Sequence, residues 1–322
     1  MFLKLVLSFK KIVLFIWAIL SLRSYYWAKI ITKYRIPPNR VKISKPYSLL
    51  NVPDIGLNLK KHSDLYILER YSDAVRLVNS VGAKFQFNST GKIIAKIEGL
   101  RFVLSTSQIL QILKEVFIDG IYDIQYPRPV VVIDIGMNVG IVSLLLAKRL
   151  KAPVFAYEPF PKTFEHAQEN FSLNQEFSYL IRSFNFGLGL ERSTVKAVYC
   201  PDSSGDCGVV PIPQEYQLGK QTEIQDIEIF PVNNIIDLVL KEHPDREVLL
   251  KVDCEGSEYE IIQSLKESRY IERVSIIMME WHRRSLSHDP SMLLNSLNSE
   301  DFILLKRGSL TDTVGMIYAF RT

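Results

Sequence analysis

Residues 130–158 read VVVIDIGMNVGIVSLLLAKRLKAPVFAYE, and this stretch decides the fold class. An apolar, β-branched run turns through two glycines into a helical pattern, and a second apolar run ends at Glu158. A buried parallel strand that turns into a helix exposes backbone N–H groups at the helix N-terminus. Gly136 and Gly140 let the backbone bend and approach a ligand closely. The pattern predicts a nucleotide-binding βαβ unit; the alternative is a generic crossover whose glycines serve packing alone.

Polar positions around this turn indicate which adenosine-containing ligand it would bind. Glu158 ends the second strand, where a carboxylate can accept hydrogen bonds from both ribose hydroxyls. A dinucleotide site needs G-x-G-x-x-G, whereas Asn138 places a side chain where a pyrophosphate requires none. Asp134 would also repel that phosphate but could pair with the ammonium of a methionine moiety. The turn therefore favours S-adenosylmethionine, with an NAD(P)-linked oxidoreductase as the alternative.

A second set of polar residues follows two further apolar runs, 248–252 and 276–279. The carboxyl ends of parallel strands converge on the crevice of a doubly wound sheet. We therefore expect the residues after these runs to face the acceptor substrate. They are Asp253, Glu255, Glu280 and His282.

Methyl transfer from a sulfonium depends mainly on positioning of the acceptor, and a general base adds about 10²–10⁴ in rate. Asp253 and His282 are the candidate bases, although His282 could instead be a hydrogen-bonded loop residue. A carboxylate cluster could also hold Mg²⁺. Because the sequence fixes no ligand set, no metal site is predicted.

Three further polar residues have both a structural and a functional interpretation. Lys251 interrupts an apolar strand and can pair with a neighbouring carboxylate. Glu258 opens a helix, which favours a solvated or amide-capping role. Asn185, at the end of the third strand, is either an adenine neighbour or a turn residue before Gly187.

Four runs occur in a fixed order: VVIDIGMNVGIVSLLLAKRL, VFAYEPFPKTFEHAQENFSLN, LLKVDCEGSEYEIIQSL and IIMMEWH. Over about residues 115–320 the chain resembles the FkbM family of S-adenosylmethionine-dependent methyltransferases. The first loop of that family reads D-x-G-A-N-x-G, so Asn138 agrees with it and Met137 replaces the alanine. The resemblance implies an α/β, Rossmann-like class I methyltransferase fold with a doubly wound, mostly parallel sheet and a terminal antiparallel hairpin. It also implies an O-methyltransferase whose acceptor hydroxyl belongs to a glycan, a glycolipid or a secondary metabolite.

The amino-terminal segment differs in charge from the rest of the chain. Ten of the 39 Lys and Arg residues lie in residues 1–53, and all 35 acidic residues follow. The apolar run 12–22 would span about 17 Å as a helix, short of the roughly 30 Å hydrocarbon core. Large aromatic residues follow it where a signal peptidase needs small ones. They are Tyr25, Tyr26 and Trp27, which with Trp17 would suit the headgroup level.

This segment predicts a cytoplasmic protein held peripherally at the inner face of the membrane, with residues 1–35 on the anionic surface. The alternatives are a helix buried against the same chain or a second subunit, and a short tilted span. A non-catalytic, membrane-tethered binding module is a third functional class. No nucleic-acid partner is expected, and the sequence leaves the oligomeric state open.

The predicted organisation has three parts: a basic apolar segment (1–45), a cap region (46–125) and an S-adenosylmethionine-binding methyltransferase domain (126–322). The cap should contain helices over 63–81 and 109–117 with a hairpin over 85–103 between them. Residues 201–225 are rich in Pro, Gly and Ser and predict a loop over the site. The cysteines, Cys200, Cys207 and Cys254, form no CxxC pair, which suits a reducing compartment.

Overall fold

A computed structural model describes residues 2–44, 49–60, 64–201, 207–208, 221–285 and 287–321, with side chains from residue 10 onward. The chain divides into two compact units, residues 1–120 and 121–322.

The first unit begins with two helices and continues with short strands. Its described residues form two three-stranded antiparallel sheets, ordered β1-β2-β3 and β4-β5-β6. The elements are α1 (Phe2–Leu22), α2 (Tyr25–Lys33), β1 (Lys42–Ser44), β2 (Leu49–Val52), β3 (Leu57–Lys60), α3 (Tyr71–Val81), β4 (Lys84–Phe87), β5 (Ile93–Ile97), β6 (Leu100–Leu104) and α4 (Gln108–Phe117).

Two predictions for this unit need correction. The predicted hairpin is a three-stranded meander, because Glu98 and Gly99 adopt φ values of 50° and 88° and turn the chain back on itself. The predicted helix over 63–81 begins as a 3₁₀ helix, Leu65–Arg70, and becomes α-helical at Tyr71. Residues 61–63 lie outside the described part.

The amino-terminal helices pack against each other, which changes the prediction for their aromatic residues. Trp27 is fully buried in α2, so its assignment to the headgroup level is wrong. Ala18 and Leu22 of α1 are also buried, whereas Trp17 and Tyr25 remain exposed. Within the described part of the chain, no helix is both long and apolar enough to cross a bilayer.

The described residues of the second unit form a seven-stranded sheet in the order β15-β16-β14-β13-β7-β8-β9. Its strands are β7 (Val130–Ile135), β8 (Val154–Tyr157), β9 (Ile181–Phe184), β13 (Glu247–Val252), β14 (Val274–His282), β15 (Ile303–Arg307) and β16 (Val314–Phe320). Neighbours from β14 to β9 are parallel, and β16 is antiparallel to β14 and β15. This order confirms the predicted doubly wound sheet with a terminal antiparallel hairpin.

Helices connect these strands: α5 (Ile141–Leu150), α6 (Pro161–Leu173), α7 (Gln175–Ser178), α8 (Val232–Glu242), α9 (Glu258–Glu267) and α10 (Pro290–Asn298). Strand β7 is buried along its whole length, as the apolar run requires. The strand order reverses at β7, since β8 lies on one side and β13 on the other. Ligands of open α/β sheets bind outside the carboxyl ends at such a switch point.

A small sheet that the sequence did not predict follows β9. Its order is β10-β12-β11, with β10 (Gly187–Gly189), β11 (Ser193–Tyr199) and β12 (Glu223–Pro231). The predicted loop 201–225 is therefore too long, because residues 223–225 belong to β12. Residues 202–206 and 209–220 of that loop lie outside the described part. Cys200 and Cys207 are buried thiols, and the N–H of Cys200 donates to Cys207 Sγ at 3.1 Å.

Candidate active site

The glycine turn after β7 lies directly against the end of β13. Gly136 and Gly140 have φ values of 75° and 77°, in the left-handed region that favours glycine. A Cβ on Gly136 would lie 1.8 Å from the carbonyl oxygen of Asp253, and one on Gly140 would lie 2.6 Å from the Phe171 ring. Both glycines are thus required by packing, and this contact joins the two predicted polar clusters.

Glu158 connects the glycine turn to the end of β8. Its Oε2 accepts the backbone N–H of Asn138 at 3.1 Å, and Oε1 accepts that of Phe160 at 3.0 Å. Burial raises the pKa of Glu158 to about 7, although these two amides counteract the rise. The ligand-free carboxyl group is thus partly protonated near neutral pH, and its role at a ribose stays a prediction.

Two other predicted cofactor residues, Asn138 and Asn185, differ in the hydrogen bonds that their side chains form within the protein. Asn138 has a φ of 52°, and its buried Oδ1 accepts no hydrogen bond from any described residue. Asn185 instead donates from Nδ2 to the carbonyls of Glu158 at 2.9 Å and Pro159 at 3.1 Å, as a turn residue does. Asn138 therefore offers an acceptor to a ligand, whereas the adenine contact predicted for Asn185 stays a prediction.

Asp134 belongs to a buried ion pair. Its Oδ2 accepts the hydroxyl of Ser143 at 2.5 Å, and Oδ1 lies 3.0 Å from Nζ of Lys251. The register of β7 with β13 places Lys251 beside Asp134, on the same face of the sheet. Lys251 thus forms the predicted ion pair with a neighbouring carboxylate. The proposed contact of Asp134 with a ligand ammonium stays a prediction.

The structure brings the other three predicted acceptor residues, Asp253, Glu255 and Glu280, close to His282. This imidazole is buried, and its Nδ1 lies 3.3 Å from Glu258 Oε1. Its Nε2 lies 3.4 Å from Glu255 Oε2 and 3.8 Å from Glu280 Oε1. Burial lowers the pKa of His282, but Glu258 and Glu280 raise it more, to about 9. His282 thus carries a proton at neutral pH, and a protonated imidazole cannot act as the base.

Glu258 and Arg284 also belong to this charged cluster. Glu258 is fully buried and accepts the backbone N–H groups of Gly256 at 2.8 Å and His282 at 2.5 Å. The predicted amide-capping role is confirmed, whereas the alternative prediction, a solvent-exposed Glu258, is wrong. The guanidinium of Arg284 forms an ion pair with Glu255.

Asp253 is the most accessible carboxylate whose position fits a base, with 27% of its side chain exposed. Its Oδ2 accepts a hydrogen bond from the Tyr122 hydroxyl at 3.2 Å and lies 3.7 Å from Nζ of Lys251. Tyr122 is a site residue that the sequence did not reveal, because 131 residues separate it from Asp253. The only local signal is its place just before β7.

Asp253, Glu255 and His282 each offer one atom that could coordinate a metal, and these atoms lie within 4.8 Å of one another. His282 and Arg284 already place positive charge beside these carboxylates. Cations of the chain itself therefore already offset part of this negative charge, and Mg²⁺ is not proposed as a cofactor.

The strand order and the glycine turn after β7 match the α/β, Rossmann-like class I methyltransferase fold. A family model, described as the Methyltransferase FkbM domain, matches residues 134–304. Because this match covers more than half of the chain, the protein belongs to the FkbM methyltransferase family. The predicted enzyme class, an S-adenosylmethionine-dependent methyltransferase, is thereby confirmed, and neither the NAD(P)-linked nor the non-catalytic alternative is supported.

Curated relatives are also methyltransferases. Methyltransferase sdnD of Sordaria araneosa is 26% identical over 205 residues, which cover 56% of this chain and 78% of the relative. Methyltransferase 1 of Beauveria bassiana is 27% identical over 171 residues, covering 49% and 67% respectively.

Solved structures of methyltransferases resemble the chain only distantly. Methyltransferase FkbM from Methylobacillus flagellatus is 16% identical with a TM-score of 0.40, and the match covers 61% of this chain and 45% of that one. The N-terminal domain of human METTL16 in complex with SAH is 14% identical with a TM-score of 0.36, covering 92% and 93%. The chain thus spans less than half of the FkbM structure, and the fold assignment rests on its own strand order.

Proposed function

We propose that residues 126–322 transfer a methyl group from S-adenosylmethionine to a hydroxyl of a glycan, a glycolipid or a secondary metabolite. One observation carries this proposal: the accessible carboxylate of Asp253 adjoins the Gly136 turn, because the Asp253 carbonyl occupies the space of a Gly136 Cβ. A base at this position can take the proton of a hydroxyl placed in line with the donor. The hydroxyl class of acceptor rests on the family resemblance.

The chain's own residues fit the donor on one side of this crevice. The buried Oδ1 of Asn138 can accept a donor hydrogen bond, Glu158 can accept from ribose hydroxyls, and Gly136 permits close approach of the backbone. Bound S-adenosylmethionine supplies an activated methyl group. Protein residues therefore only need to orient the acceptor, exclude water and remove one proton.

On the acceptor side, the charge cluster supplies hydrogen-bond partners for a polyhydroxylated molecule. The carboxylates of Glu280 and Glu255 can accept hydrogen bonds from neighbouring hydroxyls of the acceptor. Both form ion pairs with Nε2 of the protonated His282. Asp253 is the proposed base, since the raised pKa of His282 keeps that imidazole protonated.

The test is turnover with isotope-labelled S-adenosylmethionine and a panel of glycans, glycolipids and hydroxylated metabolites. Asp253→Asn should lower kcat about 10²–10⁴-fold while donor affinity, measured by calorimetry, is retained. Glu247→Gln is the matched control, because Glu247 is a carboxylate at the opposite end of β13 and pairs with Arg128. Methyl label found on nitrogen or carbon, or unchanged kcat in Asp253→Asn, would contradict the proposal.

We also propose that the amino-terminal helix binds the cytoplasmic membrane surface peripherally. Five apolar side chains of α1 are 45–72% exposed, and their spacing places them along one helix face. They are Ile12, Val13, Ile16, Trp17 and Leu20. Residues 1–53 hold ten basic residues without one acid, which complements anionic lipid at about 1 kcal/mol per basic residue near the surface. An apolar face beside basic residues is typical of interfacial helices.

Sedimentation with anionic vesicles tests this surface. The double variant Ile16→Glu, Leu20→Glu should remain in the supernatant, because it places two carboxylates on the apolar face. The fold should stay intact, since both side chains are exposed. Ile224→Glu, Met292→Glu is the control, since it changes two exposed apolar residues of the second unit. Wild-type protein that stays in the supernatant with anionic vesicles would contradict the proposal. If that protein also forms oligomers that the first variant dissociates and the control does not, the face would be assigned to a second copy.

A further inference from the structure

Lys251 is a buried cation that contacts both the donor turn and the proposed base. Its Nζ lies 3.0 Å from Asp134 Oδ1 and 3.7 Å from Asp253 Oδ2. It also donates to the carbonyl oxygens of Gly136 at 2.5 Å and Ile135 at 3.4 Å. One ammonium group thus ties the backbone of the glycine turn to the carboxylate at the end of β13.

Stability alone does not explain a lysine at this position. A buried ion pair loses in desolvation about what it gains in attraction, and apolar residues of similar volume are often equally stable. Burial lowers the pKa of Lys251, but Asp134 and Asp253 raise it above its ordinary value, so the group stays charged. A lasting charge here fixes the position of its partners.

Tyr122 contacts the same oxygen of Asp253 from the segment before β7. This ring is almost fully buried, and its hydroxyl donates to Asp253 Oδ2 at 3.2 Å. Burial and the charge of Asp253 hold the pKa of Tyr122 well above its ordinary value, so the phenol remains a donor. Both contacts fall on Oδ2, so neither Tyr122 nor Lys251 holds the other oxygen, Oδ1.

We infer that Tyr122 and Lys251 are positioning residues that hold Oδ2 of Asp253 and leave Oδ1 as the oxygen that receives the acceptor's proton. This inference rests on the proposed function, in which Asp253 is the base. The acceptor oxygen forms its bond to the methyl carbon, the electron pair of the broken C–S bond stays on sulfur, and the hydroxyl proton moves to Oδ1. Two contacts on Oδ2 restrict rotation of the carboxylate. Oδ1 therefore stays oriented toward the acceptor hydroxyl from one turnover to the next.

Tyr122→Phe is the primary variant, because it removes one hydroxyl and keeps the buried ring. Its kcat should fall about tenfold or more, as expected for loss of a hydrogen bond to a charged group, while KM, donor affinity and thermal midpoint stay near wild type. Tyr126→Phe is the matched control, since the Tyr126 hydroxyl contacts Glu247 at the opposite end of β13. It should leave kcat unchanged. Lys251→Met should lower both kcat and donor affinity, because it also releases the Gly136 carbonyl.

A double-mutant cycle separates positioning from a general structural effect. If Tyr122 acts only through Asp253, Tyr122→Phe should cause no further loss of kcat in the Asp253→Asn background. A multiplied loss in that background, or wild-type kcat in Tyr122→Phe, would overturn the inference. Wild-type kcat in Asp253→Asn alone would instead overturn the proposed base, so failure of the proposed function is recognisable separately.

Discussion

The stability of the second unit should fall as the pH rises above 6.5, because His282 is held in its protonated form. The pKa of His282 is about 9 in the folded protein and 6.5 as its ordinary value. A histidine whose pKa is raised by folding stabilises the protein fully below its unfolded pKa. That stabilisation is lost as the pH rises through the folded pKa.

The magnitude follows from the shift. A difference of one pKa unit corresponds to about 1.4 kcal/mol, so His282 should contribute roughly 3 kcal/mol at pH 6 that is absent above pH 9. Urea unfolding at several pH values from 6 to 9.5 measures this loss. The urea concentration at the midpoint should fall with rising pH, while the dependence of the unfolding free energy on urea stays constant. His282→Gln should be less stable at pH 6 and should lack most of the decline.

His243→Gln provides the control, because burial lowers the pKa of this other histidine and its contribution has the opposite sign. The reasoning would be refuted by wild-type stability that is flat between pH 6.5 and 9, or by the same decline in His282→Gln. Either result would mean that Glu258 and Glu280 do not hold a charged imidazole.

Two further predictions follow from the geometry. Gly315→Ala should destabilise the protein by about 1–3 kcal/mol in urea unfolding, because its Cβ would lie 2.1 Å from the fully buried Trp281 ring; wild-type stability would show that the ring can move aside. Donor affinity should rise about tenfold from pH 6 to pH 8, because the pKa of Glu158 is about 7 and its carboxylate is the proposed ribose acceptor. Calorimetry should find this pH dependence absent in Glu158→Gln, and its persistence there would exclude Glu158 as the titrating group.

Predictions from local sequence succeeded where the physical cause is local. The run before Asp134 is apolar because β7 is buried on both faces, and the glycines after it have the positive φ values that a tight turn requires. The amino-terminal aromatics were harder to assign, since the sequence around Trp17 is more apolar than that around Trp27 and so favours the wrong one for burial. In the folded protein Trp27 of α2 is fully buried, whereas Trp17 of α1 remains exposed.

The sequence by itself determined the fold class and the ends of the strands that carry the site, because hydrophobic period and turn residues act over a few neighbouring positions. Only the tertiary structure decided the partners of those site residues. Tyr122 meets Asp253 across 131 positions, and Lys251 meets the Gly136 carbonyl across 115. Such contacts depend on the register of β7 with β13, which no local pattern encodes. The same packing sets the charge of His282, because burial and three neighbouring carboxylates act on it together.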